Sequence, residues 1–175
     1  NLAKNSLINQ KWIKLMETDE NFGSKGGKKL SLRGCDLKPI DPDLFKLDLM
    51  LTTLELSQDY RSCLSHKLDT LPHTIGNLIH LRELKLDTND LKYLPSELAQ
   101  LIHLERLCLS NNALKSLPDS LSNLKALKSL HLAKNMFERI PLCIYEMSSL
   151  VFLDFTSNKI IRLDEGLLKL ARTLK

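Results

Sequence analysis

One pattern recurs in this chain without a slip. The string L-x-x-L-x-L-x-x-N-x-L, with Phe137, Phe155 and Ile160 standing in for leucine, opens at Leu81, Leu104, Leu127 and Leu150, so consecutive copies begin 23 residues apart. The first three copies close on Pro95, Pro118 and Pro141; Asp164 takes that slot in the fourth. A fixed period of this length marks a stacked array of small structural units. No single unit can bury its own apolar face, so each must lie against its neighbours. The chain holds 41 leucines among its 175 residues, so one residue type fills the same core slot again and again.

Upstream the pattern continues irregularly. Leu51, Leu54 and Leu56 open another copy, but Leu71-Pro72 arrives late, so this copy runs for 30 residues. The extra residues fall around Tyr60–Lys67. Before it, Leu30, Leu32, Leu37 and Ile40 fill the slots of a first copy starting at Gly27, with Cys35 in the asparagine position. The alternation of leucines at positions 4 and 6 is that of a strand with one face inward. Asn89, Asn112, Asn135 and Asn158 stand where the chain leaves that strand. There a side-chain amide can bond the backbone of its own turn and of the adjacent one, which gives these residues a structural role. The proline after each leucine disfavours helix just before it and opens the return segment.

These motifs resemble the leucine-rich repeat family, over about five-sixths of the chain. The 23-residue L-P-x-x-I/L-x-x-L form is similar to the intracellular repeats of Ras-suppressor-like and Scribble-like scaffold proteins. The resemblance implies an α/β fold: a right-handed solenoid with one short strand per repeat, a concave parallel sheet, and a looser or helical convex side. About six repeats are expected, at 27–50, 51–80, 81–103, 104–126, 127–149 and 150–172, within a domain over 27–175. By the same resemblance the partner is a small GTPase, a phosphatase or another component of a signalling or cytoskeletal scaffold.

A stacked array exposes leucine at its ends and needs caps. Ile8, Trp12, Leu15 and Met16 form one apolar stripe at helical spacing, so residues 5–17 are expected to be a capping helix, with the linker completing residues 1–26. Trp12 either covers the first repeat or anchors a partner. Residues 166–175 read as the return part of the last repeat, leading into further repeats or ending as a short helix.

Composition narrows the function. The formal net charge is +4, but residues 1–30 and 159–175 each contribute +3, leaving −2 on residues 31–158. Without a basic stripe along the repeats, nucleic acid is not an expected partner. No run of 18 apolar residues exists, and no membrane span is expected. Cys35, Cys63, Cys108 and Cys143 lie far apart and match no zinc spacing. The lack of clustered cysteines and of any Asn-x-Ser/Thr sequon points to an intracellular, cytoplasmic protein. Neither phosphate-binding glycine loops nor hydrolase or metalloprotease motifs occur, so no enzyme activity and no cofactor are expected. His80 and His103 share one slot, but two nitrogens without a further ligand make a poor metal site.

What remains is the concave face, formed by the side chains at positions 3 and 5 with 7 and 8 at the rim. Glu55, Glu83, Lys85, Asp87, Arg106, His131, Lys134, Phe152 and Asp154 are the expected partner-binding residues, with Cys108 also pointing outward. Their mixed signs suit register-setting contacts with a protein. Phe152 is either a hot spot or packs beneath a terminal cap. The insertion is a second candidate through Tyr60, Arg61 and His66, since rim loops often bind, though a tolerated surface loop accounts for it equally. The chain is therefore expected to be an interaction module. The alternatives are the recognition arm of a larger enzyme, such as a kinase or ubiquitin ligase, and an architectural part of a large assembly.

Overall fold

The computed structural model describes residues 16–18, 27–35, 40, 44–45, 51–59, 67–171 and 174. They form one seven-stranded sheet whose strands follow each other in chain order. The strands are β1 (Met16–Thr18), β2 (Lys28–Ser31), β3 (Leu51–Glu55), β4 (Glu83–Lys85), β5 (Arg106–Cys108), β6 (Ser129–His131) and β7 (Phe152–Asp154). From β2 to β7 every pairing is parallel; β1 pairs antiparallel to β2, Met16 opposite Leu30. Met16 and Glu17 thus belong to an edge strand rather than to the end of the expected helix over 5–17. The competing force is backbone pairing: three residues beside the open edge of β2 satisfy their polar groups on it. The rest of that expectation, including Trp12, lies outside the described residues.

Register follows from the leucine slots. Leu54, Leu84, Leu107, Leu130 and Leu153 sit opposite one another across five strands. In the repeats that open at Leu81, Leu104 and Leu127 the apolar residues at positions 1, 4, 6, 11 and 14 are buried, as Leu104, Leu107, Leu109, Leu114 and Leu117 show, whereas Leu163 at position 14 of the last repeat is exposed. Burying one such side chain contributes about 1.5–3 kcal/mol. The 30-residue copy does not disturb this register, because Thr53 pairs with Glu83 across that longer span.

Return segments begin at the prolines. Pro72, Pro95 and Pro118 each precede a 3-10 turn, at His73–Asn77, Ser96–Gln100 and Asp119–Asn123. Pro141 precedes α1 (Leu142–Tyr145), and α2 (Leu167–Leu170) occupies the same place in the last repeat. In the four proline copies the proline carbonyl accepts from the N–H three residues on, at 3.1–3.2 Å. Adjacent turns approach so closely that a Cβ on Gly76 would stand 2.8 Å from the carbonyl oxygen of Glu97.

The asparagines tie consecutive repeats together. Asn135 Nδ2 donates to Leu132 O at 3.1 Å in its own repeat and to Leu109 O at 2.9 Å in the one before. Its Oδ1 accepts from Leu114 N at 3.0 Å. Asn89, Asn112 and Asn158 repeat the arrangement with the equivalent groups. Directly before each asparagine the backbone turns left-handed, at Thr88, Asn111, Lys134 and Ser157, and Gly34 does so in the first copy. Only glycine adopts that conformation freely, and a β-branched residue suits it least.

Two consequences are measurable. Replacing Asn135 with Ala orphans three backbone groups in a closed turn, and urea unfolding is expected to show a loss on the order of 3 kcal/mol. Thr88→Gly relieves the left-handed strain at a smaller entropic cost, and the same assay is expected to show a gain of about 0.5–1 kcal/mol.

Candidate functional site

The parallel register builds the outer face of the sheet as two rows. One runs Thr53, Glu83, Arg106, Ser129, Phe152; the other runs Glu55, Lys85, Cys108, His131, Asp154. All the candidate strand residues therefore share one surface, but they do not share solvent.

Glu83 is the clearest departure from the sequence reading. Expected as an exposed charge, it is buried, 4% exposed. Arg106 reaches one carboxylate oxygen at 3.3 Å, Lys85 lies 3.6 Å from the other, and Thr53 Oγ1 stands 3.5 Å from that same oxygen. Longer neighbours fold over the shorter glutamate, which alternation along one strand cannot reveal. Cys108 is corrected in the same way: its slot faces outward, yet neighbouring side chains cover it. Its thiol is pushed up to about 12, first by burial and then by the charges of Asp87 and Glu83, so it is no nucleophile.

Asp87, just beyond β4, accepts from Ser110 N at 2.8 Å and faces Ser57 Oγ at 3.5 Å. Burial raises its carboxyl above the ordinary range, against the lowering effect of the Ser110 N–H and of the nearby His131 charge. Glu55 accepts from Ser31 Oγ at 3.0 Å, and Asp154 accepts from Thr156 Oγ1 at 2.8 Å. His131 is held by Ser129, Oγ to Nε2 at 2.9 Å, and its ring centroid lies 4.8 Å from that of Phe152. Phe152 remains 46% exposed, an aromatic surface at the end of the row. Lys134 is exposed at the rim, carried on its left-handed backbone. Tyr60, Arg61 and His66 lie outside the described residues.

Three charged residues escaped the alternating-slot reading: Arg82, Glu105 and Lys128, at position 2 of successive repeats. Glu105 N and Arg106 N both donate to Arg82 O, and the same doubling recurs one repeat later on Glu105 O. This local irregularity breaks strict alternation and leaves position 2 at the rim. There Glu105 accepts from Arg82 at 2.7 Å and from Lys128 at 2.6 Å. Its carboxyl lies below the usual range, chiefly through the Lys128 hydrogen bond. The signal was present in the sequence as alternating signs spaced by the 23-residue period.

A hollow of about 380 Å³ beside Cys143, Tyr145 and Gly166 shares no residue with this surface. Among the described residues no group of three or more His, Cys, Asp or Glu could hold a metal ion, and no helix is long and apolar enough to cross a membrane.

The family model of the leucine-rich repeat region matches residues 42–172. The chain belongs to the leucine-rich repeat family, whose members generally mediate protein–protein interaction rather than catalysis. A comparison with curated proteins finds no match. Among solved structures, a leucine-rich repeat protein of Leptospira interrogans is 33% identical with a TM-score of 0.75, over 84% of this chain and 35% of that one. The chain thus spans about a third of the length of that relative. A chain from the Toll–Spatzle complex of Drosophila is 28% identical, TM-score 0.67, over 83% of this chain and 19% of that one. The leucine-rich repeat ectodomain of the receptor kinase SOBIR1 of Arabidopsis thaliana is 26% identical, TM-score 0.59, over 83% and 79%.

The burial of Asp87 sets a pH signature. Since burial raises its folded-state pKa, the charged form is penalised once the pH rises through that value, and the penalty vanishes below the ordinary carboxylate pKa. Asp87→Asn keeps the acceptor for Ser110 N without the charge. Urea midpoints are expected to favour this variant over the parent at about pH 7 and to converge at about pH 3.

Proposed function

We propose that this chain is a non-enzymatic module that captures a protein partner on the outer face of its sheet. The observation that carries this reading is the exposed Phe152, its ring tilted against a hydrogen-bonded His131 at the end of a face with charges of both signs. Large aromatic side chains held in place supply binding energy, and the mixed charges around them select register. A right-handed solenoid in which this sheet lines the concave side suits that task, because curvature lets several strands touch one partner. The Toll–Spatzle complex is a neighbour in which a protein partner is present, which supports capture of a protein here.

The 23-residue repeat supports an intracellular scaffold role, with a small GTPase, a phosphatase or another scaffold component as partner and the 60–67 loop as a second contact. Cys35, Cys108 and Cys143 are unpaired, in keeping with a reducing, cytoplasmic setting. A second reading, the recognition arm of a larger enzyme, draws on one observation: a neighbour is the ectodomain of a receptor kinase.

The test must spare Glu83, since reversing Lys85 and Arg106 would leave that carboxylate buried against like charges. Phe152→Glu with Ser110→Arg alters only the outer face. Affinity capture from cells, read by mass spectrometry, is expected to lose its principal protein by about tenfold or more, consistent with a lost hot spot. The thermal midpoint is expected to stay within about 3 °C, the range of surface substitutions. Undiminished capture by a folded variant refutes the reading.

A further inference from the structure

The charges of strands β4–β6 are sorted by depth. The Glu83 side chain is 5% exposed, while Arg106 and Lys85, which contact it, are 57% and 31% exposed. At the adjoining rim the arrangement repeats: Glu105 at 22% lies between Arg82 at 46% and Lys128 at 62%. Four cations stand over two carboxylates, and the carboxylates are the deeper members of both groups. A molecule approaching this part of the sheet meets a positive surface, although the face as a whole mixes both signs.

We propose that Arg82, Lys85, Arg106 and Lys128 form a docking site for a short acidic segment of a protein partner. The proposal rests on the reading of this face as a protein-binding surface and names the chemistry it takes. Three neighbouring strands span about 10 Å, which about three residues of extended chain cover. Arg106 touches Glu83 through one terminal nitrogen, so the rest of its guanidinium fork is available to grip a carboxylate with two parallel hydrogen bonds. Lys128 spends a single contact on Glu105 and carries its ammonium at the rim. The deeper carboxylates, buried Glu83 and half-buried Glu105, hold the four cations in place before a partner arrives, so less side-chain freedom is lost on binding.

A long polyanion fits this site less well than a short acidic segment. Glu55 stands opposite Lys85 across the sheet, and Asp87 follows just beyond the end of β4, so acidic groups bound the positive patch. Residues 31–158 sum to −2, the chain total of +4 less +3 from each end, whereas nucleic-acid surfaces carry an extended basic stripe.

Fluorescence anisotropy with the full chain tests this. The probes are a labelled peptide of alternating Glu and Ser, its Gln counterpart, and a version with phosphoserine in place of Glu. The Glu peptide is expected to bind about tenfold more tightly than the Gln peptide and to weaken as salt rises. Arg82→Gln with Lys128→Gln is expected to weaken it about fivefold or more while the thermal midpoint holds. Equal binding of the Glu and Gln peptides overturns the proposal, as does unchanged affinity in the folded double variant. Preference for the phosphoserine peptide overturns it too, in favour of a phosphorylated partner. If Phe152→Glu/Ser110→Arg loses its captured protein while the Glu peptide binds nothing, the acidic-segment proposal fails and the protein-binding reading stands.

Discussion

Everything in this molecule hangs on an amide that serves two repeats at once. Each ladder asparagine donates to a carbonyl of its own turn and to one in the preceding repeat, and accepts an N–H from that same preceding repeat. The turn it closes leaves the sheet and enters a leucine core, where unpaired backbone groups would be costly. An acid could accept but not donate, and a serine could not span the two carbonyls, so asparagine is nearly forced. Because the bonds cross the repeat boundary, they set the spacing of neighbours as well as the shape of each turn. The sheet then inherits its register from the turns beside it. This is why a repeat lengthened to 30 residues keeps its strands in step: the additional chain is inserted after the strand and before the next ladder position.

The fold was legible because a period of 23 is a strong constraint. Leucine, asparagine and proline each occupy slots whose physics admits few alternatives, and the buried leucines of β3 to β6 lie where those slots place them. The left-handed residue before each asparagine was not legible. Thr88, Asn111, Lys134 and Ser157 have no one side-chain group common to all four, and what they share is a backbone angle imposed by the turn that follows. Residues 16 and 17 failed for a different reason. A stripe at helical spacing is a local signal, and the open edge of β2 outweighs it with backbone pairing that is remote in sequence.

The candidate site was legible in outline and not in depth. Alternation along a strand tells which way a side chain leaves the backbone, and on that count Glu83, Lys85, Arg106, His131 and Phe152 do share a face. It says nothing about whether a neighbour will fold over the side chain. Glu83 lies under the longer Arg106 and Lys85, Cys108 lies between Lys85 and His131, and both end up covered. Solvent access on a sheet is a property of adjacent repeats taken together, and a single strand does not contain it.

That distinction changes how the charge of the face is to be counted. Summed over its slots, the outer surface is close to neutral, which argues for a protein partner without choosing one. Sorted by depth, it divides into deeper acids and more exposed bases across β4 to β6, and into an aromatic pair between β6 and β7. A repeat array is well suited to such sorting, because one slot recurs every 23 residues and can take an arginine, a glutamate and a lysine in turn, as position 2 does here. Glu105 then meets cations from both flanking repeats, and the strand spacing of about 4.8 Å keeps them within reach of a salt bridge. The backbone repeats faithfully, and the specificity of the surface lies in the order in which unlike residues occupy like slots.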